Sequence, residues 1–87
     1  MYFEFDPTKS EVNRKKHGID FTQAQALWRD PMRLNLMANS TIEKRYALIA
    51  QSLGKVWFAV YALRQMRIRI ISVRRARNKE VDIYEKE

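Results

Sequence analysis

No cysteine occurs among the 87 residues, and there are only two glycines, two prolines and one histidine. Without cysteine the chain can form no disulfide, offer no thiolate to a metal and use no thiol nucleophile. One histidine and scattered carboxylates make a poor ligand set for zinc or calcium, so no cofactor is expected. Gly18 and Gly54 stand alone, which leaves no glycine-rich loop to cradle a phosphate. Long apolar runs are missing as well: Val56 to Leu63 falls far short of the roughly 20 residues that a membrane-spanning helix needs. The opening MYFEFDPTK has neither the basic nor the apolar region of a secretion signal. These absences lead us to expect a cytoplasmic protein with no membrane partner, forming a single domain over residues 1–87.

Carboxylates are absent from one long segment. Met1 to Glu43 holds six basic and six acidic residues, Lys44 to Lys79 holds ten basic and none acidic, and Glu80 to Glu87 holds four acidic and one basic. The excess behind the net charge of +7 therefore lies in the middle segment. Its cations cannot pair with one another and must find partners elsewhere in the chain or on another molecule. Nucleic acid is the commonest such partner and an acidic protein the next. A basic surface that only keeps the protein in solution is the bland alternative, but such surfaces usually mix both signs. Six arginines and one lysine lie between Arg64 and Lys79, and a guanidinium offers phosphate a planar fork that an ammonium lacks. A single arginine could instead lay its stem on a sheet or pair with Glu80, Asp82, Glu85 or Glu87. Four carboxylates cannot neutralise ten cations.

Local signals order the elements. YFEF reads as a short strand; Asp6 and Pro7 then start a helix that runs to Gly18, with Val12 its one apolar residue. Asp20 and Gln23 form a capping box for a second helix whose Phe21, Ala24, Leu27 and Trp28 share a face, and Asp30–Pro31 stops it. The period then becomes two. Met32, Leu34 and Leu36 alternate with polar residues, ANSTIE makes a polar loop, and Arg45 to Gln51 is a strand. SLGK is a turn, and Lys55 to Leu63, apolar on both faces, reads as a central strand. RQM, lacking glycine or asparagine, connects it to a last strand over Arg67 to Arg74. Lys79 to Lys86 closes the chain as a helix with Val81 and Tyr84 inward. The predicted class is α+β: an antiparallel β-sheet with two N-terminal helices and a C-terminal helix, the helices on one face and the other face free.

In a regular last strand, Arg67 and Arg69 would point to one face and Arg74 to the other, unless a bulge between Ile70 and Ser72 shifts the register. Arg75, Arg77 and Lys79 follow. His17 is the one side chain of a type that titrates near neutrality, and it is open to two readings: general acid or base, or helix C-terminal residue bonding a carbonyl.

FEFDPTKSEVNRKKHGIDFTQA, then EKRYALIAQS, a central strand and RIRIISVRRARNKEVDIYE resembles the BrnT family, the ribonuclease toxins of type II toxin-antitoxin systems. The likeness rests on F-x-[WF]-D with Lys9 and Asn13, on His17–Gly18 with Phe21 and Ala24, on E-x-R at Glu43 and Arg45, and on I-R-x-I-S-x-R over Ile68 to Arg74. Phe5 stands where tryptophan is common, Val73 where alanine is usual, and RQM where a glycine-containing turn is found. The resemblance implies a RelE-like fold and a metal-independent endoribonuclease that arrests translation. It also implies a cognate antitoxin with a DNA-binding domain, through which the complex reaches operator DNA. Site positions carried over are Lys9, His17, Arg45, Arg69, Ser72 and Arg74.

Metal-free RNA cleavage needs a base for the 2′-hydroxyl, cations for the phosphorane and an acid for the 5′-oxygen. We expect Arg69 and Arg74 to meet transition-state charge, with His17 and Ser72 as further catalytic candidates and Lys9, Arg45, Arg67, Arg75 and Arg77 on the RNA. Arg75 and Arg77 could equally serve the antitoxin. The competing reading is a non-catalytic module that binds nucleic acid or antitoxin in operon autoregulation. A nucleic-acid module would interleave stacking aromatics with its cations, and the last strand has none.

Overall fold

Asp6 and Pro7 convert the first strand into the first helix as their types dictate. In the computed structural model, which describes residues 2–38 and 43–86, β1 (Tyr2–Glu4) leads to α1 (Pro7–His17). The Asp6 carboxylate accepts the N–H of Thr8 at 2.8 Å and of Lys9 at 3.4 Å. Gly18, at φ 80°, ends α1 with its N–H on the Arg14 carbonyl. The expected capping box opens α2 (Phe21–Ala24), with Asp20 accepting from the Gln23 N–H and Gln23 returning the bond. This second helix is shorter than expected. From Gln25 to Arg29 it tightens into a 3-10 helix, whose three-residue turn suits the spacing of Phe21, Ala24 and Leu27 and keeps all three buried.

The remaining elements are β2 (Leu34–Ala38), β3 (Arg45–Ser52), β4 (Lys55–Arg64), β5 (Arg67–Arg75) and α3 (Asn78–Lys86). Met32 lies in the turn before β2 rather than in the strand. The polar loop at 39–42 and the tail residue Glu87 lie outside the described residues. The strands form one sheet in the order β1-β5-β4-β3-β2, with β4 central as its two apolar faces required. An all-antiparallel sheet was expected, but β1 lies parallel to β5, with Phe3 beside Ile68 and Glu4 beside Arg69, so the sheet is mixed. The chain leaves β1 through helices rather than a hairpin, which frees the first strand to pair in parallel with the last.

The core lies between one face of this sheet and the α1–α2 layer. Phe3, Trp28, Tyr61 and Tyr46 form a continuous run of rings with centroids 5.2, 5.3 and 5.5 Å apart. Leu48, Ala59, Ile70 and Val73 pack with them. The opposite face was expected to be bare, but half of it is covered. Register puts Leu34, Ile49, Phe58 and Arg74 in one row on that face. Ile49 is fully buried there without belonging to the main core. Its cover is α3, which lies against β3 and is tied down at both ends. Glu80 takes two bonds from Arg74, each 2.8 Å, and the Tyr84 hydroxyl donates to Asp30 at 2.6 Å. Two layers of helix thus sandwich the sheet, but α3 spans only the half near the end of β5.

A bulge, which the sequence left as the alternative to a regular last strand, is present. Val60 pairs with Ser72 and Tyr61 with Ile70, leaving Ile71 as the extra residue. Ile68, Ile70 and Val73 consequently all turn into the core, and Arg67, Arg69, Ser72 and Arg74 all share the opposite face.

Val12, the only apolar residue in the middle of α1, is 55% exposed. The helix docks through Ser10 and Asn13 instead. Ser10 Oγ accepts the Phe21 N–H at 2.9 Å, and Asn13 Nδ2 donates to the carbonyls of Ile19 at 2.8 Å and Val73 at 2.9 Å. Asn13 Oδ1 accepts the Val73 N–H at 3.1 Å. Since β1 pairs with β5 only as far as Arg69, the β5 edge beyond it would be open. The Asn13 carboxamide has the donor and acceptor of a peptide group and pairs with that edge as a further strand would. Asn13→Ala should cost about 3 kcal/mol, because it strands buried backbone groups on β5 and the α1–α2 link. Val12→Ala should change stability by less than about 0.5 kcal/mol; urea unfolding of both variants measures the contrast.

Candidate nucleic-acid interface

Two rows of side chains cross the half of the outer sheet face that α3 leaves open. One consists of Tyr2, Arg67 and Arg64 on adjacent strands, and the next of Glu4, Arg69 and Ala62. Beside the second row opens a cavity of about 210 Å³ in which Lys9, Arg45, Arg64 and Arg69 converge. Four separate elements bring them there: the first turn of α1, the start of β3, the end of β4 and the middle of β5. The bulge residues Ile70 and Ile71 form part of its wall, and Asp6 and Glu43 add carboxylates.

The charges are unequally committed. Arg69 Nη1 lies 2.9 Å from Glu4 Oε2, a close pair, and Asp6 is occupied in capping α1. Glu43 is met only at long range, 3.8 Å from Arg64 and 4.0 Å from Arg45. Arg45 Nε is buried and has no hydrogen-bond partner among the described residues. The Arg45 side chain is otherwise 41% exposed, which leaves the outer part of its guanidinium open to an oxygen of a bound phosphate. Among the described residues no three His, Cys, Asp or Glu side chains gather as a metal ligand set.

Of the residues singled out in the sequence, Lys9, Arg45 and Arg69 meet in this cavity, and Arg67 stands in the adjoining row. The others lie elsewhere. Ser72 is exposed one row towards α3, opposite Val60. Arg74 stacks over Phe58, 4.3 Å from the ring centre, and is held by Glu80. Arg75 lies on the other side of the sheet, 5.7 Å from the Trp57 ring, and Arg77 gives its N–H to Glu80 at the start of α3. His17 ends α1, about 12 Å along the helix from Lys9, and is not among the residues lining the cavity. Sequence reasoning placed neither Arg64 nor Glu43 among the site residues. Glu43 had a signal in its E-x-R spacing with Arg45; Arg64 had none beyond its charge.

Residues 5–80 match the family model described as ribonuclease toxin, BrnT, of type II toxin-antitoxin system. The chain belongs to the BrnT family. A search of curated proteins finds no match. The BrnT match spans all the cavity residues, and membership brings with it a ribonuclease activity, an RNA substrate and a cognate antitoxin. No helix among the described residues is long and apolar enough to cross a membrane.

Two carboxylates that anchor α3 in this BrnT toxin titrate below their usual range. The Arg74 hydrogen bonds lower Glu80 from its ordinary 4.5, outweighing burial. Burial raises Asp30, but bonds from Tyr84, Gln51 and Met32 outweigh it and hold the group below 3.8. Depressed carboxylates stabilise the fold fully above their ordinary values, and that stability is lost as pH falls through the lower folded values. Urea unfolding at about pH 7 and about pH 3 should show this loss, and Glu80→Gln should be less stable at the higher pH with a smaller loss on acidification. Tyr84, raised to about 12 by burial and by Asp30, should be the last tyrosine to ionise in an absorbance titration, and Tyr84→Phe should remove that final step.

Proposed function

We propose that the cavity formed by Lys9, Arg45, Arg64 and Arg69 is the site of a metal-independent endoribonuclease that arrests translation, on a fold of the RelE kind. Four cations around one small cavity support this reading most directly. The cations neutralise the phosphorane formed when a 2′-oxygen attacks its own 3′-phosphate. Glu43, the cavity carboxylate with no close partner among the described residues, takes the 2′-hydroxyl proton. The P–O5′ bond breaks as the 5′-oxygen takes a proton from solvent water, Glu43 returns its proton to solvent, and the products are a cyclic 2′,3′-phosphate end and a 5′-hydroxyl end. Arg74, engaged by Glu80, acts by holding α3 and the end of β5 rather than on the phosphate.

The cognate antitoxin is taken to inhibit by covering this cavity with acidic side chains, and to carry the DNA-binding domain that brings the complex to its operator. Inhibitor and substrate then compete for the same cations.

Arg69→Ala should lower the cleavage rate at least tenfold, and Glu43→Gln about a hundredfold, with circular dichroism and unfolding midpoint near those of the parent. Lys55→Ala, at the first residue of β4 and so at the strand end opposite Arg64, should cleave normally. Gel analysis of a labelled RNA measures each rate. Full activity in Arg69→Ala and Glu43→Gln would sink the assignment, as would unimpaired growth of cells expressing the parent chain alone.

A further inference from the structure

The open face does not end at the cavity. A polar hollow between Arg64 and Arg67 adjoins it, also bordered by Glu4 and Gln65, and leads to a larger concavity of about 510 Å³ lined by Tyr2, Gln65, Met66 and Arg67. Arg64 borders both the cavity and the hollow, and Arg67 borders both the hollow and the outer concavity, so the three form one track. Glu4 is its one carboxylate beyond the cavity, and it is already taken by Arg69.

At the outer end the chain presents a flat aromatic and a flexible thioether to solvent. Tyr2 is 75% exposed and Met66 95% exposed. The turn carrying Met66 is strained: Gln65 has φ 48° and Met66 φ 67°, a left-handed conformation that favours asparagine and glycine at such turns. Glycine would remove the strain but also the side chain. Tyr2 pairs with Arg67, and Arg67 with Arg64, so the ring and two guanidinium groups stand in one row. The row lies two residues along β5 from Arg69, about 6.6 Å.

We propose that Tyr2 and Met66 form a base-stacking subsite for a nucleotide of single-stranded RNA next to the one cleaved, with Arg64 and Arg67 holding the intervening phosphates. This rests on the ribonuclease reading above and adds to it a determinant of where the RNA lies. Sequence-tolerant binding of single strands combines a cationic track with aromatic faces. The last strand has no aromatic of its own, and the parallel pairing of β1 supplies one from the other end of the chain. An acidic protein segment would also meet the arginines, but an exposed ring beside two cations at nucleotide-like spacing favours RNA.

The test uses a short RNA with a 2′-deoxy substitution at the nucleotide the parent protein cuts, and with 2-aminopurine placed in turn at neighbouring positions. One neighbouring position should be quenched on binding. The quenching should vanish in Tyr2→Ala and persist in Tyr2→Phe, and affinity should fall about five- to 150-fold in Tyr2→Ala. Met66→Gly should weaken binding while raising the unfolding midpoint, a divergence that a structural role would not produce. If both variants bind and cut like the parent, the subsite is refuted while the ribonuclease reading stands. If they bind RNA normally but lose affinity for the antitoxin, the surface belongs to that protein and the proposal is overturned. If the parent neither binds nor cuts any RNA, the reading of the cavity falls with it.

Discussion

Beyond Arg69, among the described residues, nothing but a side chain continues the sheet alongside β5 on the β1 side. β1 stops pairing there, the bulge follows at Ile71, and the next backbone groups to be satisfied on that edge are those of Val73, which Asn13 takes. This one carboxamide fixes two things together. It holds the segment that re-aims Ser72 and Arg74, and it sets the rotation of α1 about its axis. Lys9 lies one turn before Asn13 on the same helix, so the bond that pins Asn13 to β5 also points Lys9 toward the cavity at Ile70 and Ile71. A helix with a single outward-facing apolar residue could not be placed by hydrophobic burial. A directional hydrogen bond places it instead.

The charge imbalance of the sequence resolves into a division of labour. Cations near the end of β5 are consumed structurally: Arg74 clamps α3 through Glu80 and lies on Phe58, and Arg75 covers Trp57. Those near its start remain on the open half of the face. Their carboxylates come from the balanced first segment, since Asp6 and Glu43 line the cavity and Glu4 pairs with Arg69 beside it. Four guanidinium and ammonium groups in so small a space would repel one another without such neighbours. The three acids reduce that repulsion without cancelling the positive field, which is the condition for a phosphate to be attracted and still released.

Local features of this architecture were legible in the sequence because local chemistry sets them. Asp6–Pro7, Asp20 with Gln23, and Gly18 mark helix ends through bonds spanning only a few residues, and the Ile70–Ile71–Ser72 run, by leaving no purely polar face, kept a bulge open as an alternative. Long-range choices were not legible. Nothing in YFEF states that its partner is the last strand or that the pairing is parallel. Nothing in Val81 and Tyr84 states which sheet face they cover, because both faces of β4 are apolar. Asn13 was visible as part of a motif, but its inward orientation depends on an open edge 60 residues away. For the candidate site, the arginine-rich stretch pointed to cations on the last strand; the split between Arg69 on the open half and Arg74 beneath α3 required knowing where that helix lies.

Unfavourable features are not spread evenly over the molecule. The Leu53–Gly54 turn at one end of β4 meets the demand for positive φ with one glycine, whereas the Gln65–Met66 turn at the other end meets it with none. Arg45 Nε, buried and with no hydrogen-bond partner among the described residues, also lies on the open half of the outer face. Each costs stability that an ordinary substitution would recover: glycine at Met66, or a shorter side chain at Arg45. Under the covered half, by contrast, Arg74, Glu80, Asp30 and Tyr84 satisfy one another in close bonds. A surface whose groups are left strained or unpaired in the free protein gains most when a ligand supplies the missing partners, and here both features border the track from Tyr2 to Lys9.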